Sequence, residues 1–124
     1  MAWANGRRAY QMLTEGRPWN QEALALAACK TDGHSCLMIV SRGRLEYAVK
    51  GWLFGAYLAG ANLDRLISME FNRSDTSNCQ LRLRLKGAVT MTFSKMDESD
   101  AQGVAETIAR LTNMRRTANH WDRE

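Results

Sequence analysis

The run Asn78-Cys-Gln-Leu-Arg-Leu-Arg-Leu-Lys86 decides the fold of this chain, because apolar and polar residues alternate along it without a break. After Gly87 the alternation resumes in Val89-Thr-Met-Thr-Phe-Ser94. A period of two residues is typical of a strand with one buried face. The two runs, separated by a short loop that contains glycine, therefore predict a β-hairpin.

The loop length sets which residues of this hairpin face each other. A two-residue loop centred on Lys86 and Gly87 would pair Leu83 with Thr90 and mix apolar with polar side chains. A three-residue loop, which is also common, puts six large apolar side chains on one face. It gives the pairs Leu81–Phe93, Leu83–Met91 and Leu85–Val89 on the inner face, and Arg82–Thr92 and Arg84–Thr90 on the outer face.

A helix is predicted directly after the hairpin, because the apolar period changes from two residues to the helical one. The apolar positions are Ala101, Val104, Ala105, Ile108 and Leu111. Acidic residues at positions 97, 98 and 100 suit the positive end of the helix dipole. The sequence thus predicts an amphipathic C-terminal helix packed against a sheet.

Further strands are predicted upstream. Residues 22–30 are rich in alanine, which favours a helix, yet their Ala/Leu alternation favours a strand, and the reversal signal at residues 31–35 tips the prediction toward a strand. Residues 36–40 form a continuous apolar run, as expected of a strand covered on both faces. Alternation at residues 45–49 and 67–72 predicts two more strands.

The chain of 124 residues is predicted to form one domain with two short appendages. Residues 1–19 are an N-terminal appendage with a short helix that presents Trp3, Tyr10 and Leu13, and Pro18 marks its boundary. Residues 20–113 form the single domain of sheet and helix. Residues 114–124 are a basic tail without an apolar period, which we expect to be frayed.

The net charge is +4, and arginine outnumbers lysine among the 17 basic residues. Arginine suits phosphate and carboxylate partners, although a compositional bias of the source genome would also explain the excess. Three cysteines allow at most one internal disulfide, and we expect three packed thiols in a reducing compartment. No signal peptide or long apolar run is visible, which predicts a cytoplasmic protein.

Three motifs carry a resemblance to a known family. The run Cys36-Leu-Met-Ile-Val-Ser-Arg-Gly-Arg-Leu45 resembles a strand–turn–strand opening, and Leu63-Asp-Arg-Leu-Ile-Ser-Met-Glu70 is similar to the entry of a middle strand. The Leu-Arg-Leu-Arg-Leu hairpin before an alanine-rich helix resembles the ending. Together, over about residues 22–112, they resemble bacterial pleckstrin-homology-like and GRAM-like domains.

That resemblance implies an α+β fold in which a strongly bent antiparallel sheet, or partly open barrel, is plugged at one end by the C-terminal helix. It also implies a binding or oligomerisation role without catalysis, toward phosphoinositides, peptides or proteins. The chain departs from the lipid-binding members, because its first hairpin loop, residues 31–35, has no dense Lys/Arg cluster.

The cysteines and histidines are the first candidates for catalytic or metal-binding residues. Cys29, His34 and Cys36 lie close in sequence, but a zinc site needs four ligands in closely spaced pairs. No phosphate loop, serine elbow or histidine-rich metal motif is present. The sequence predicts neither metal nor cofactor, and a protein that is not an enzyme.

Two groups of residues are predicted to bind a partner. The first joins the outer hairpin face to the basic tail and comprises Arg82, Arg84, Thr90, Thr92, Arg115 and Arg116. The alternative interpretation of that face is a solvated sheet surface. The second is an apolar docking tip at Trp52 and Phe54, which would belong to the core if it were buried.

These features predict a non-enzymatic module that acts by protein–protein interaction, as an adaptor or an inhibitor of a host factor. A protein partner would use the arginines as ion-pair and hydrogen-bond donors. The alternative is a basic module that binds nucleic acid or anionic lipid head groups. Exposed edge strands could also pair two copies into a homodimer.

Overall fold

The computed structural model describes residues 24–51 and 55–123. They form nine strands, one short 3-10 turn and one α-helix. The elements are β1 (Ala25–Thr31), β2 (His34–Val40), β3 (Arg44–Gly51), β4 (Gly55–Asn62), the 3-10 turn (Leu63–Arg65), β5 (Leu66–Asp75), β6 (Asn78–Leu85), β7 (Val89–Met96), α1 (Glu98–Thr112), β8 (Arg115–Thr117) and β9 (His120–Asp122).

All nine strands belong to one antiparallel sheet in the order β4-β3-β2-β1-β7-β6-β5-β9-β8. Its two halves meet where Lys30 of β1 pairs with Ser94 of β7. Two side chains reinforce this junction: the hydroxyl of Thr31 donates to the carbonyl of Thr92 at 3.0 Å, and the hydroxyl of Ser94 donates to the carbonyl of Lys30 at 3.3 Å.

The predicted fold class is wrong. The described residues are mainly strand rather than α+β, and the sheet is open, with β4 and β8 at its two edges, rather than closed as a partial barrel. α1 is the one α-helix in the described part of the chain. The predicted N-terminal helix falls in residues 1–19, which lie outside the described residues.

The predicted hairpin register is confirmed. β6 and β7 pair as expected, with Leu85 opposite Val89 around a three-residue loop. The loop turns through two residues with positive φ, Gly87 at 90° and Ala88 at 61°. The prediction that all six apolar side chains are buried is only partly correct, because Val89, at the hairpin tip, is 43% exposed.

The strand prediction for the alternating segment before position 31 is also confirmed. β1 pairs with β2 along its whole length, from Ala25 opposite Val40 to Thr31 opposite His34. The connection is Asp32-Gly33, with φ of 51° and 79°. Two consecutive residues with positive φ are what a two-residue hairpin turn of type I′ requires, and Asp-Gly is among its preferred sequences.

The predicted C-terminal helix is confirmed as α1. Its apolar stripe is buried apart from Leu111, which is half-buried, and Glu98 and Asp100 lie in its first turn. The helix ends at Asn113, whose φ of 58° is left-handed, and the amide of Met114 donates to the carbonyl of Ala109 at 3.0 Å. This is a common way to satisfy the last helical carbonyls. α1 contacts β1 and β2 of one half and β5 and β6 of the other.

The C-terminal tail is not frayed, which corrects our prediction. β8 and β9 form a hairpin, and β9 adds to β5 with Trp121 opposite Met69. Trp121 is 4% exposed. The guanidinium of Arg123 donates to the carbonyls of Leu63, Asp64 and Leu66 at 3.3, 2.8 and 3.0 Å. One tryptophan and one arginine therefore dock a segment that has no apolar period.

Candidate binding surface

Ten side chains from five strands share the face of β5–β9 that points away from α1. Residues directly opposite each other in adjacent strands project from the same side of a sheet, so the pairing defines two rows. One row runs Thr90, Arg84, Ser68, Asp122, Arg115, and the next runs Thr92, Arg82, Glu70, His120, Thr117. We call these ten residues the outer surface.

The two central arginines of the outer surface differ in their partners. Arg82 lies 3.6 Å from the carboxylate of Glu70, measured from Nη1 to Oε1, and both side chains are about half exposed. The side chain of Arg84 is exposed, and it makes no ion pair or hydrogen bond with any residue that the structure describes. Its guanidinium therefore keeps its full set of donors for another molecule.

The other half of the outer surface contains an acidic side chain. The imidazole of His120 lies 2.9 Å from the carboxylate of Asp122, measured from Nε2 to Oδ2. Asp122 is also the direct neighbour of Arg115 across the β8–β9 pair. Each row therefore contains both arginine and a carboxylate, and the surface has a mixed charge pattern rather than a single positive sign.

The structure brings together five of the six arginines and threonines predicted to bind a partner: Arg82, Arg84, Thr90, Thr92 and Arg115. Arg116 is on the opposite face, because successive residues of a strand alternate sides. Its guanidinium stacks 5.0 Å from the ring centroid of Trp121, and its Nε donates to the carbonyl of Ala118 at 2.8 Å. The apolar tip predicted at Trp52 and Phe54 lies outside the described residues.

Sequence reasoning missed the acidic members of the outer surface. Glu70 was visible as a polar position in an alternating strand, but nothing local indicated that it faces Arg82. Asp122 and His120 were assigned to a frayed tail. Their positions depend on the pairing of β9 with β5, which joins segments far apart in sequence.

A second feature is a cleft of about 400 Å³ beside the β1–β2 hairpin and the start of α1, which we call the thiol cleft. Among the described residues, its lining includes Ala28, Cys29, Lys30, Ser35, Cys36, Lys95, Asp97 and Asp100. Cys29 and Cys36 stand directly opposite each other and are free thiols. A hydrogen bond with Cys36, together with burial, raises the pKa of the Cys29 thiol.

The third cysteine has separate surroundings on β6. Cys79 is fully buried, and its thiol donates to the carbonyl of Asp75 at 3.4 Å. Desolvation is the main cause that raises the pKa of this thiol. Within the described ranges, no three side chains of the histidine, cysteine and acidic types are placed to share a metal ion.

No protein-family model matches the chain, and a search of curated proteins also finds no match. In the described part of the chain, no helix combines the length and apolarity needed to cross a lipid bilayer. The resemblance to pleckstrin-homology-like and GRAM-like domains therefore stays a prediction.

Proposed function

We propose that this protein is a non-enzymatic binding module that recognises an acidic segment of a partner protein through its outer surface. The observation that carries the proposal is Arg84, an exposed guanidinium without an ion pair among the described residues. An arginine fork binds a carboxylate through two parallel hydrogen bonds. The hydroxyl of Thr90, directly opposite on β7, adds a donor and an acceptor beside it.

The surroundings of Arg84 favour the binding of a carboxylate from another protein. Arg82, two residues away on the same face, is engaged by Glu70 at 3.6 Å. Such exposed pairs contribute only about 0–1 kcal/mol, so Arg82 can exchange Glu70 for a partner's carboxylate at little cost. Two arginines about two residues apart on one strand suit an extended acidic segment laid across β6 and β7.

The mixed charge pattern favours a protein over a polyanion. Glu70 and Asp122 lie in the same rows as the arginines, where they would face the phosphates of a nucleic acid. Protein interfaces use alternating complementary charges to fix register and exclude wrong partners. The net charge of +4 is the observation that favours the second candidate, binding to nucleic acid or anionic lipid.

A comparison of three proteins tests this function. The wild type, Arg84→Ala and the control Arg42→Ala are used to capture proteins from source-cell lysate with and without nuclease, followed by quantitative mass spectrometry. Arg42 is an exposed arginine in the turn between β2 and β3, so the control loses the same charge away from the outer surface. We expect a partner with an acidic segment that Arg42→Ala retains and Arg84→Ala loses.

Both variants must unfold at the wild-type temperature for this comparison to hold. Equal capture by Arg84→Ala and wild type would refute the role of the outer surface. Binding that disappears with nuclease, or that weakens with salt at a slope of about −0.9 per phosphate contacted, would favour the nucleic-acid candidate instead.

A further inference from the structure

The β1–β2 hairpin holds two cysteines in the arrangement that a disulfide needs. Cys29 and Cys36 are direct neighbours across the antiparallel pair. Opposite residues in such a pair have Cα atoms about 4.5–5.5 Å apart, inside the range of roughly 4.4–6.8 Å found in disulfides. Both side chains point to the buried face, with exposures of 6% and 1%.

The same two residues border a cleft that opens to the surface. Both residues line the thiol cleft, whose volume of about 400 Å³ accommodates a small organic molecule. Cys29 is the more exposed of the two. Cys79, by contrast, is fully buried on β6, and its thiol donates to the carbonyl of Asp75. Cys29 and Cys36 therefore have each other as possible disulfide partners and a cleft beside them, whereas Cys79 has neither.

We propose that Cys29 and Cys36 are a redox-active dithiol, which low-molecular-weight disulfides convert into a cross-strand disulfide. The thiolate of one of the two cysteines attacks one sulfur of the small disulfide, forms a mixed disulfide and releases one thiolate. The thiolate of the other cysteine then attacks the sulfur of the first, closes the protein disulfide and releases the second thiolate. In total, the protein gives up two protons and two electrons, and one small disulfide becomes two small thiols.

The exchange leaves the described fold in place. The hairpin already holds the two strands in register from Ala25 to Val40, so the new bond replaces a thiol–thiol contact without moving the backbone. It changes the floor of the thiol cleft from two polar S–H groups to one S–S bond. The two cysteines lie in the β1–β2 half of the sheet, and none of the ten residues of the outer surface belongs to these strands.

The test uses the full, reduced chain and the small neutral probe bis(2-hydroxyethyl) disulfide under native conditions. Trypsin cleaves after Lys30, so Cys29 and Cys36 fall in different peptides, and Cys79 falls in a third. We expect the intact mass to drop by two hydrogen atoms, and the peptide that ends at Lys30 to become linked to residues 31–42. One free thiol per chain, Cys79, should remain.

Two variants and one denatured sample complete the design. Cys36→Ser should form no internal disulfide, whereas Cys79→Ser should form it as the wild type does. In urea, all three cysteines should pair in mixed combinations. The proposal is overturned if the native protein keeps three thiols while the urea sample oxidises. A lasting adduct of the probe on Cys29, or a native link to Cys79, would also overturn it.

Discussion

Arg82 and Arg84 stand two positions apart on β6 and share one face, yet their neighbours differ. The strand across from Arg82 supplies the carboxylate of Glu70, whereas the residue across from Arg84 is the small hydroxyl side chain of Ser68. A guanidinium without an ion-pair partner binds an incoming carboxylate with less competition, because no existing ion pair has to break first. The pairing partner on β5 therefore distinguishes two arginines that look equivalent in the sequence.

The alternation of apolar and polar residues in one hairpin was sufficient to place four residues on the outer surface. Arg82, Arg84, Thr90 and Thr92 follow from the loop length and the alternation alone. Ser68 and Glu70 needed the β5–β6 register, which contains an irregularity between Leu66 and Ser68. No local pattern encodes such a shift, because it depends on contacts between distant segments.

Asp75 offers a prediction on the pH dependence of stability. Its carboxylate accepts hydrogen bonds from the amide of Ser77 at 2.9 Å and from the Ser77 hydroxyl at 3.0 Å, and these lower the pKa of Asp75. A pKa that is lower in the folded than in the unfolded state stabilises the fold above the unfolded pKa. That contribution is lost as the pH falls through the folded pKa.

We expect Ser77→Ala to raise the pKa of Asp75 only part of the way to its ordinary value, because the backbone amide still donates. An NMR titration of the Asp75 carboxyl carbon measures this shift. Ser74→Ala, a change at an exposed position on β5, is the matched control and should leave the pKa where it is. An unchanged pKa in Ser77→Ala would contradict the role of the hydroxyl.

The β6–β7 hairpin predicts a contrast between two truncations on its inner face. Leu83 is fully buried, whereas Val89 is 43% exposed. Leu83→Ala should lower the free energy of unfolding by about 2–5 kcal/mol, as buried leucine truncations do. Val89→Ala should cost less than about 1 kcal/mol, because little apolar surface is lost from the core. Urea unfolding measures both, and equal costs would show that the inner face extends to the hairpin tip.

Two glycines give a second contrast, with effects of opposite sign. Gly103 lies in α1, and a Cβ there would have nothing within 4 Å. Gly103→Ala should therefore stabilise the protein by about 0.5–1 kcal/mol. Gly87 has a φ of 90°, so Gly87→Ala should destabilise it by more than that. Thermal unfolding of both variants checks the prediction, and a destabilised Gly103→Ala would contradict it.

Elements whose apolar residues recur several times at a regular spacing were predictable from the sequence. Elements held in place by only a few side chains were not. The hairpin and α1 repeat their apolar residues several times, so each position supports the next. β9 is held by Trp121, by the hydrogen bonds of Arg123 and by pairing with β5, and β8 is held by pairing with β9. A three-residue strand has too few positions to show a period. The prediction of a partial barrel was wrong as well, because the sheet stays open, with β4 and β8 at its edges.

The two halves of the sheet form one packing unit through α1 and the core. Direct pairing between the halves is limited to Lys30 and Ser94. Their inner faces meet, however, where the rings of Tyr47 and Phe93 lie edge to face with centroids 5.1 Å apart. The buried stripe of α1 belongs to the same core cluster as residues from both halves. The molecule should therefore unfold in a single cooperative step.

Ile108→Val tests this cooperation. Ile108 is fully buried on α1, and the loss of one methylene group should lower stability by about 0.5–1.5 kcal/mol while the protein stays folded. Because α1 packs on both halves, the slowest-exchanging amides of β2 and of β6 should lose the same amount of protection free energy. Native-state hydrogen exchange followed by NMR measures the two values in one sample. A loss confined to β2 or to β6 would show that the halves open independently and that α1 stabilises only one of them.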